Sequence, residues 1–352
     1  MEWARPLTPL LEISGSARTR GLTHGQAIAG RLRDFLDDSL ARLGHLTDRP
    51  VSLESVRPRI AAHRDAVITA LPDLAEEVDG LAIGAGIGRD EAWLLQLRRE
   101  ILGYNRITAG DCTSYATSRR APVLGQTIDL NGNLDDQIAV LAVSGPRHRS
   151  VVLSFAGLLG YLGVNDAGLA VGLNLVLGGN WGPGVPPYLA IRHLLDTADS
   201  VEHAVAILHD LPLASSRAFL LCDASRTVCV EALACERRIL EGDKLFHTNH
   251  FLHPDFGARD ELNVFAGNSS RRRLEAVRAV GIPAADDIRG HHRLLAAAPI
   301  CVRDSGDIRR ERTVAAVVLR PDLGELRLWP GDPSTANEHV FSAAHLPHIV
   351  GN

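Results

Sequence analysis

The sequence predicts an α+β fold of two packed sheets covered by helices, and three observations carry that prediction. Residues 26–105 space their apolar positions as helices do. Past Cys112 the pattern changes to short β-branched runs between Gly, Asn and Asp turns. Helices then return before a last pair of strands, and this order fits two helix-covered sheets better than a repeating βαβ unit. The 352 residues can bury one large core, and no repeat, low-complexity tract or linker divides them.

Each element has its own signal. Residues 31–46 place Leu32, Phe35, Leu36, Leu40 and Leu43 on one helical face. Residues 52–71 begin at a capping serine, and residues 90–104 begin at an acid and run through Trp93, Leu94, Leu97 and Ile101. The glycine-rich stretch 80–88 lacks a preceding strand and the full dinucleotide fingerprint, so it reads as a helix end and turn. Strands are expected at 113–118, 122–130, 138–144, 151–155, 161–164 and 169–175. Helices at 187–197 and 200–211 follow, then strands at 218–223, 227–233 and 244–248. Helices near 270–280 and 285–297 precede the final strand pair, 313–319 and 325–329.

Composition excludes several classes. A formal charge of −5 without long basic runs gives no footprint for nucleic acid. No uninterrupted apolar run is long enough to span a bilayer and the first residues lack an apolar signal core, so a cytoplasmic protein without a membrane partner is expected. Five cysteines are an odd number and argue against a disulfide framework.

Cys112 stands where the helical pattern gives way to sheet, after Gly110 and Asp111. Read from the residues alone, it is either a buried small hydrophobe or a nucleophile. Cutting the Asp111–Cys112 bond would put its thiol and a freed amino group within one residue, a nucleophile with its own base. A hairpin of 113–118 with 123–130 would return Asp129 toward Cys112, where its carboxylate either holds an ammonium group or polar substrate, or caps the following turn. Asn249 reads as an Asx turn or as an amide donor. His247, His250 and His253 suggest zinc, but their two-residue gaps do not gather three rings on a helix, and no HExxH motif occurs.

Together these pieces resemble a known family. Gly110-Asp111-Cys112-Thr113-Ser114, then Leu124-Gly125-Gln126-Thr127-Ile128-Asp129, resemble motifs of the acyl-coenzyme A:6-aminopenicillanic acid acyltransferase family of N-terminal nucleophile hydrolases. The run from Gly160-Tyr161-Leu162-Gly163 to Gly172-Leu173-Asn174, Phe246-His247-Thr248-Asn249-His250, and Asn268-Ser269-Ser270-Arg271 are similar to later motifs in the same order. The resemblance implies a four-layer αββα sandwich and self-cleavage at Asp111–Cys112, giving a helical chain 1–111 and a catalytic chain 112–352 that stay associated. The family's penicillin-forming member carries glycine before its cysteine, where this chain has Asp111.

By the same resemblance Cys112 is the nucleophile, Asp129 orients the freed amine or substrate, and Asn249 stabilises the oxyanion. Arg271 matches an arginine near the nucleophile, with Arg272 and Arg273 facing solvent. Thr113, Tyr115 and Ser270 are candidate substrate contacts, although Thr113 and Tyr115 also suit packing and Ser270 suits a helix cap. The implied activity is cleavage of a linear amide through a thioester, without metal or other cofactor, on a small amide or peptide-like substrate with an acyl-coenzyme A as a candidate donor. The competing readings are a zinc-dependent amidohydrolase and a non-catalytic binding protein of the same fold.

Overall fold

The computed structural model describes residues 8–103 and 112–343. Strand β1 (Leu10–Ile13) is followed by helices α1 (Ala17–Ala27), α2 (Ala29–Asp37), the single turn α3 (Leu43–Leu46), α4 (Leu53–Ala70), α5 (Pro72–Ala85) and α6 (Arg89–Leu102). Six strands come next: β2 (Thr113–Thr117), β3 (Val123–Leu130), β4 (Ile138–Ser144), β5 (Arg149–Phe155), β6 (Leu162–Asn165) and β7 (Ala170–Leu175). Helices α7 (Pro187–Thr197) and α8 (Val201–Asp210) lead to β8 (Arg217–Cys222), β9 (Thr227–Leu233), β10 (Glu236–Glu241) and β11 (Lys244–His247). The turn α9 (Pro254–Gly257), helices α10 (Val264–Val280) and α11 (Ile288–Ala296), and strands β12 (Arg312–Arg320), β13 (Glu325–Pro330) and β14 (His339–Ser342) complete the order.

Two sheets result, with strand orders β1-β4-β5-β6-β7-β8-β9-β10 and β11-β2-β3-β12-β13-β14. They pack face to face through β2, β3, β7 and β8, with α7 and α8 on the outside of the larger sheet and α10 and α11 on the outside of the smaller. The layers are therefore αββα, as expected. One apolar core runs from the N-terminal helices through the space between the sheets, and a second lies between the smaller sheet, α10 and α11. The sheets are also tied by polar contacts. Gln126 on β3 donates from Nε2 to the Leu173 carbonyl at 2.7 Å and accepts from the Leu173 N–H at 3.0 Å, satisfying β7 backbone groups in the dry interior.

The N-terminal helices are bound to this sandwich at several points. Strand β1 pairs in parallel with β4, and buried Glu77 on α5 accepts from Arg20 on α1 and Arg192 on α7, both at 2.8 Å. The glycines of α5 serve helix packing. A Cβ on Gly84 would stand 2.1 Å from the Leu22 carbonyl oxygen, and one on Gly21 would stand 1.9 Å from that of Glu77, so α1 and α5 touch backbone to backbone. The stretch 80–88 does end as a helix and turn: Gly86 takes the left-handed φ of +64° that terminates α5.

Three expectations need correction. The helix over 31–46 stops at Asp37, because Ser39, Leu40, Ala41 and Arg42 all have positive φ. Arg42 explains the break: its guanidinium donates to the Gly132 and Asn133 carbonyls at 2.9 and 2.7 Å and pairs with Asp136, pulling the chain out of helical register. Helix α10 starts at Val264 with Asn263 as its cap, so Ser270 lies inside the helix and caps nothing. Strands β1, β10 and β14 and helix α1 were not anticipated, and all three strands lie at sheet edges. No described helix is long and apolar enough to cross a membrane.

Candidate active site

Cys112 immediately precedes β2 and is buried, yet it lines a pocket of about 60 Å³ together with residues of α6 and the larger sheet. Its Sγ lies 3.7 Å from the Tyr161 hydroxyl. Tyr161 is held in place by stacking on Tyr188 at 5.5 Å and by an edge contact with Phe155 at 5.1 Å, and all three rings line the pocket. The Cys112 carbonyl accepts from Arg273 Nη1 at 2.8 Å and from Asn174 Nδ2 at 3.0 Å. Ser114 donates to Asn174 Oδ1, which fixes the amide's orientation. The residue just before the strand is thus clamped by an arginine from α10 and an asparagine from β7.

The arginine at the site is Arg273, which corrects the assignment of Arg271. Arg273 is fully buried and also donates to Thr113 Oγ1 at 3.0 Å and to Asn249 Oδ1 at 2.7 Å, whereas Arg271 is exposed. Helical geometry supplies the reason: Ser270, Arg273, Leu274 and Val277 form the i, i+3, i+4, i+7 stripe that α10 buries. That stripe was visible in the sequence and outweighs the motif alignment.

Asn249 joins the same network through Arg273, and one N–H of its amide donates to the Leu175 carbonyl at 3.0 Å, in a strand whose Leu173 and Leu175 line the pocket. Asp129 follows β3 back as expected. The register pairs Thr113 with Thr127, so Asp129 lies just past the level of Cys112, buried and accepting from Thr313 Oγ1 at 2.6 Å. Asp111 lies outside the described residues.

The candidate substrate contacts do not converge on the pocket. Strand alternation turns Ser114 toward the opposing sheet and Thr113 and Tyr115 toward α10 and α11. Thr113 meets Arg273, while Tyr115 sits in the outer core and bonds His291 Nδ1 at 2.7 Å. Burial raises the Tyr115 phenol well above its usual range. Ser270 ties α10 to the strand exit by accepting from the Asn249 N–H at 2.8 Å and bonding Thr248 Oγ1 and His250 Nδ1. Sequence reasoning gave no role to Tyr161, Asn174 or the α6 residues of the pocket, although Tyr161 and Asn174 stood inside a noted motif.

The histidine segment has structural employment. His247 Nε2 meets Glu231 at 2.9 Å and its Nδ1 meets the Thr248 carbonyl at 2.7 Å. Burial opposes ionisation of Glu231, but the His247 contact and the Leu252 and His253 N–H groups outweigh it and hold the carboxyl below its usual range. Burial, then nearby His247 and Arg271, lowers His250 to about 4. No group of three or more His, Cys, Asp or Glu placed to hold a metal occurs among the described residues. Burial also raises the thiols of Cys222 and Cys301 to about 12 and that of Cys229 well above the usual value.

Residues 116–284 match the model of the family described as acyl-coenzyme A:6-aminopenicillanic acid acyl-transferase. The matched stretch holds Asp129, Asn174, Asn249 and Arg273 and begins four positions after Cys112. The chain is 26% identical over 270 residues to the acyl-coenzyme A:6-aminopenicillanic-acid-acyltransferase 40 kDa form of Emericella nidulans, covering 74% of each. Similar solved structures include penicillin V acylase from Agrobacterium tumefaciens, at 17% identity and TM-score 0.46 over 67% of this chain and 87% of that one. The Caenorhabditis elegans N-acylethanolamine-hydrolyzing acid amidase ortholog is 16% identical, with TM-score 0.47 over 60% of this chain and 94% of that one. The match over residues 116–284, with the motifs in their order, makes this chain similar to the acyl-coenzyme A:6-aminopenicillanic acid acyl-transferase family over nearly half its length.

Proposed function

We propose that the chain is a self-processing cysteine N-terminal nucleophile enzyme that cleaves a linear amide through a thioester on Cys112. The observation that carries this reading is the clamp on Cys112: a thiol lining a pocket, in a residue whose carbonyl is held by Arg273 and Asn174. Fixing the backbone of the first catalytic residue would fix its thiol and its amino group together, which a nucleophile with a built-in base requires.

In processing, the Cys112 sulfur attacks the Asp111 carbonyl carbon, and the peptide C–N bond breaks as the α-amino group takes a proton. Water then hydrolyses the thioester, leaving a carboxylate at Asp111 and a free thiol. The new amine titrates near pH 8, about two units below lysine, so part of it is neutral at working pH. In turnover it accepts the thiol proton, the sulfur attacks the substrate carbonyl, and the same proton passes to the leaving amine. Water, or an acceptor amine where the pocket holds one, takes the acyl group. An acyl-coenzyme A donor would enter at the thioester-forming step. Asn249 is assigned to the oxyanion, Asp129 to orienting the amine, and Arg273 to positioning both Cys112 and Asn249. The strand β1–β4 pairing and the buried Glu77 ion pairs would keep the two chains together after cleavage.

Intact-mass measurement of the purified protein beside Cys112→Ala tests this. Two polypeptides, 1–111 and 112–352, are expected for the natural sequence and one for the variant. A single natural chain that turns over amides would refute the free-amine mechanism, and cleavage at another bond would refute the site assignment.

A further inference from the structure

Helix α6 forms one wall of the Cys112 pocket with a single stripe, Leu95, Arg98, Arg99 and Leu102, at i, i+3, i+4 and i+7. Leucines at those positions are ordinary core; two adjacent arginines are not. A third pocket arginine, Arg217, is neutralised by Glu100 at 3.0 Å and stacks on Trp181. Arg98 and Arg99 have no carboxylate within ion-pair distance among the described residues. Arg98 is anchored by the Ala41 carbonyl, which accepts from its Nε at 2.9 Å, and by the Phe35 ring, 5.1 Å below its guanidinium. Its Nη2 is nevertheless shielded from solvent and meets no acceptor among the described residues, and the same holds for Nε and Nη2 of Arg99. Burial lowers Arg98 to about 10, which still leaves it charged near neutrality.

Shielded guanidinium donors without acceptors are costly, and their presence in a pocket calls for a ligand that completes them. Glu311 also lines the pocket and approaches Asn131 Nδ2 at 3.5 Å, so among the described residues one carboxylate lines it beside these two arginines. The rest of the wall is apolar: Leu158, Leu173, Leu175 and the three aromatic rings. We infer that the substrate acylating Cys112 carries a carboxylate, bound by Arg98 and Arg99, on an otherwise apolar body. The planar fork of a guanidinium matches a carboxylate in two parallel hydrogen bonds, which would set the distance from the anion to the thiol. This rests on the reading of Cys112 as the nucleophile and adds the class of substrate that the nucleophile meets.

Iodoacetate and iodoacetamide differ in carrying a carboxylate or a carboxamide, and mass spectrometry can read their relative rates at each cysteine. Exposed Cys235 is the internal reference. The iodoacetate preference at Cys112 should exceed that at Cys235 by at least about tenfold, the scale of one charged contact. It should fall by a similar factor in Arg99→Met and be largely restored in Arg99→Lys. As a check that needs no variant, hexanoate should slow iodoacetamide at Cys112 while hexanamide should not. Equal preference at the two cysteines, or protection by both competitors alike, would overturn the anion site while leaving the nucleophile intact. A Cys112 unreactive toward both reagents would overturn the nucleophile and the anion site together.

Discussion

Replacing Arg273 by methionine, beside Arg271→Met, separates the buried arginine from its exposed neighbour two residues earlier. Arg273 is fully buried and donates to the Cys112 carbonyl, Thr113 Oγ1 and Asn249 Oδ1. In the variant the Cys112 carbonyl keeps Asn174, and the Thr113 hydroxyl can turn to another partner. Asn249 Oδ1 and one lone pair of the carbonyl lose a charged donor in the interior. At about 1.5–3 kcal/mol for each hydrogen bond to a charged group, losing these two costs about 3–6 kcal/mol. Arg271→Met changes an exposed side chain and should move stability by no more than about 0.5 kcal/mol. Urea unfolding followed by circular dichroism measures both, with an unchanged slope needed to read the midpoint as stability. Amide turnover supplies the second readout: losing the clamp should lower kcat/KM by at least about a hundredfold, the scale of removing one oxyanion-site donor. Variants of equal stability and activity, or a larger effect from Arg271, would refute the placement of α10 and the role given to its buried face.

Two further outcomes follow from the packing and titration of the N-terminal helices. Gly84→Ala would push a methyl group to 2.1 Å from the Leu22 carbonyl oxygen and should cost about 3 kcal/mol or more, whereas a Cβ on Gly30 meets no atom within 4 Å, so Gly30→Ala should gain about 0.5–1 kcal/mol. Thermal melting of both variants decides whether α1 and α5 touch; equal melting points would count against it. Burial, aided by Arg192, lowers His24 to about 3 from 6.5. As pH falls below 6.5 the unfolded chain takes a proton that the folded chain refuses, so stability declines toward pH 3 by up to about 1.4 kcal/mol per pH unit. His291, lowered to about 4 mainly by burial, acts in the same direction. Between pH 6.5 and 5, His24→Leu should therefore lose about 2 kcal/mol less than the natural protein, and parallel pH profiles would contradict the burial of a neutral imidazole.

Local pattern carried most of the fold. Ile138–Ser144, Pro187–Thr197 and Thr227–Leu233 fall where their spacing placed them, because each turns a continuous apolar face to a core. The edge strands Leu10–Ile13, Glu236–Glu241 and His339–Ser342 escaped, since an edge has one hydrogen-bonded neighbour and carries a mixed exposure pattern. The break at Ser39–Arg42 escaped because its cause, the grip of Arg42 on residues 132–136, lies more than ninety positions away in places.

The sequence by itself determined the α+β class, the junction at Cys112, the β2–β3 hairpin that returns Asp129, and the order of motifs that carries the resemblance to the acyltransferase family. These depend on spacing and on neighbours along the chain. Only the tertiary structure decided that Arg273 holds Cys112, that Tyr115 turns outward, and that α6 brings Arg98 and Arg99 to the pocket. A motif names a stretch of residues, but the face of a helix or strand that meets the site depends on what packs against it. Two positions along α10 amount to about 200° of rotation, enough to carry an arginine from solvent to the centre of the site.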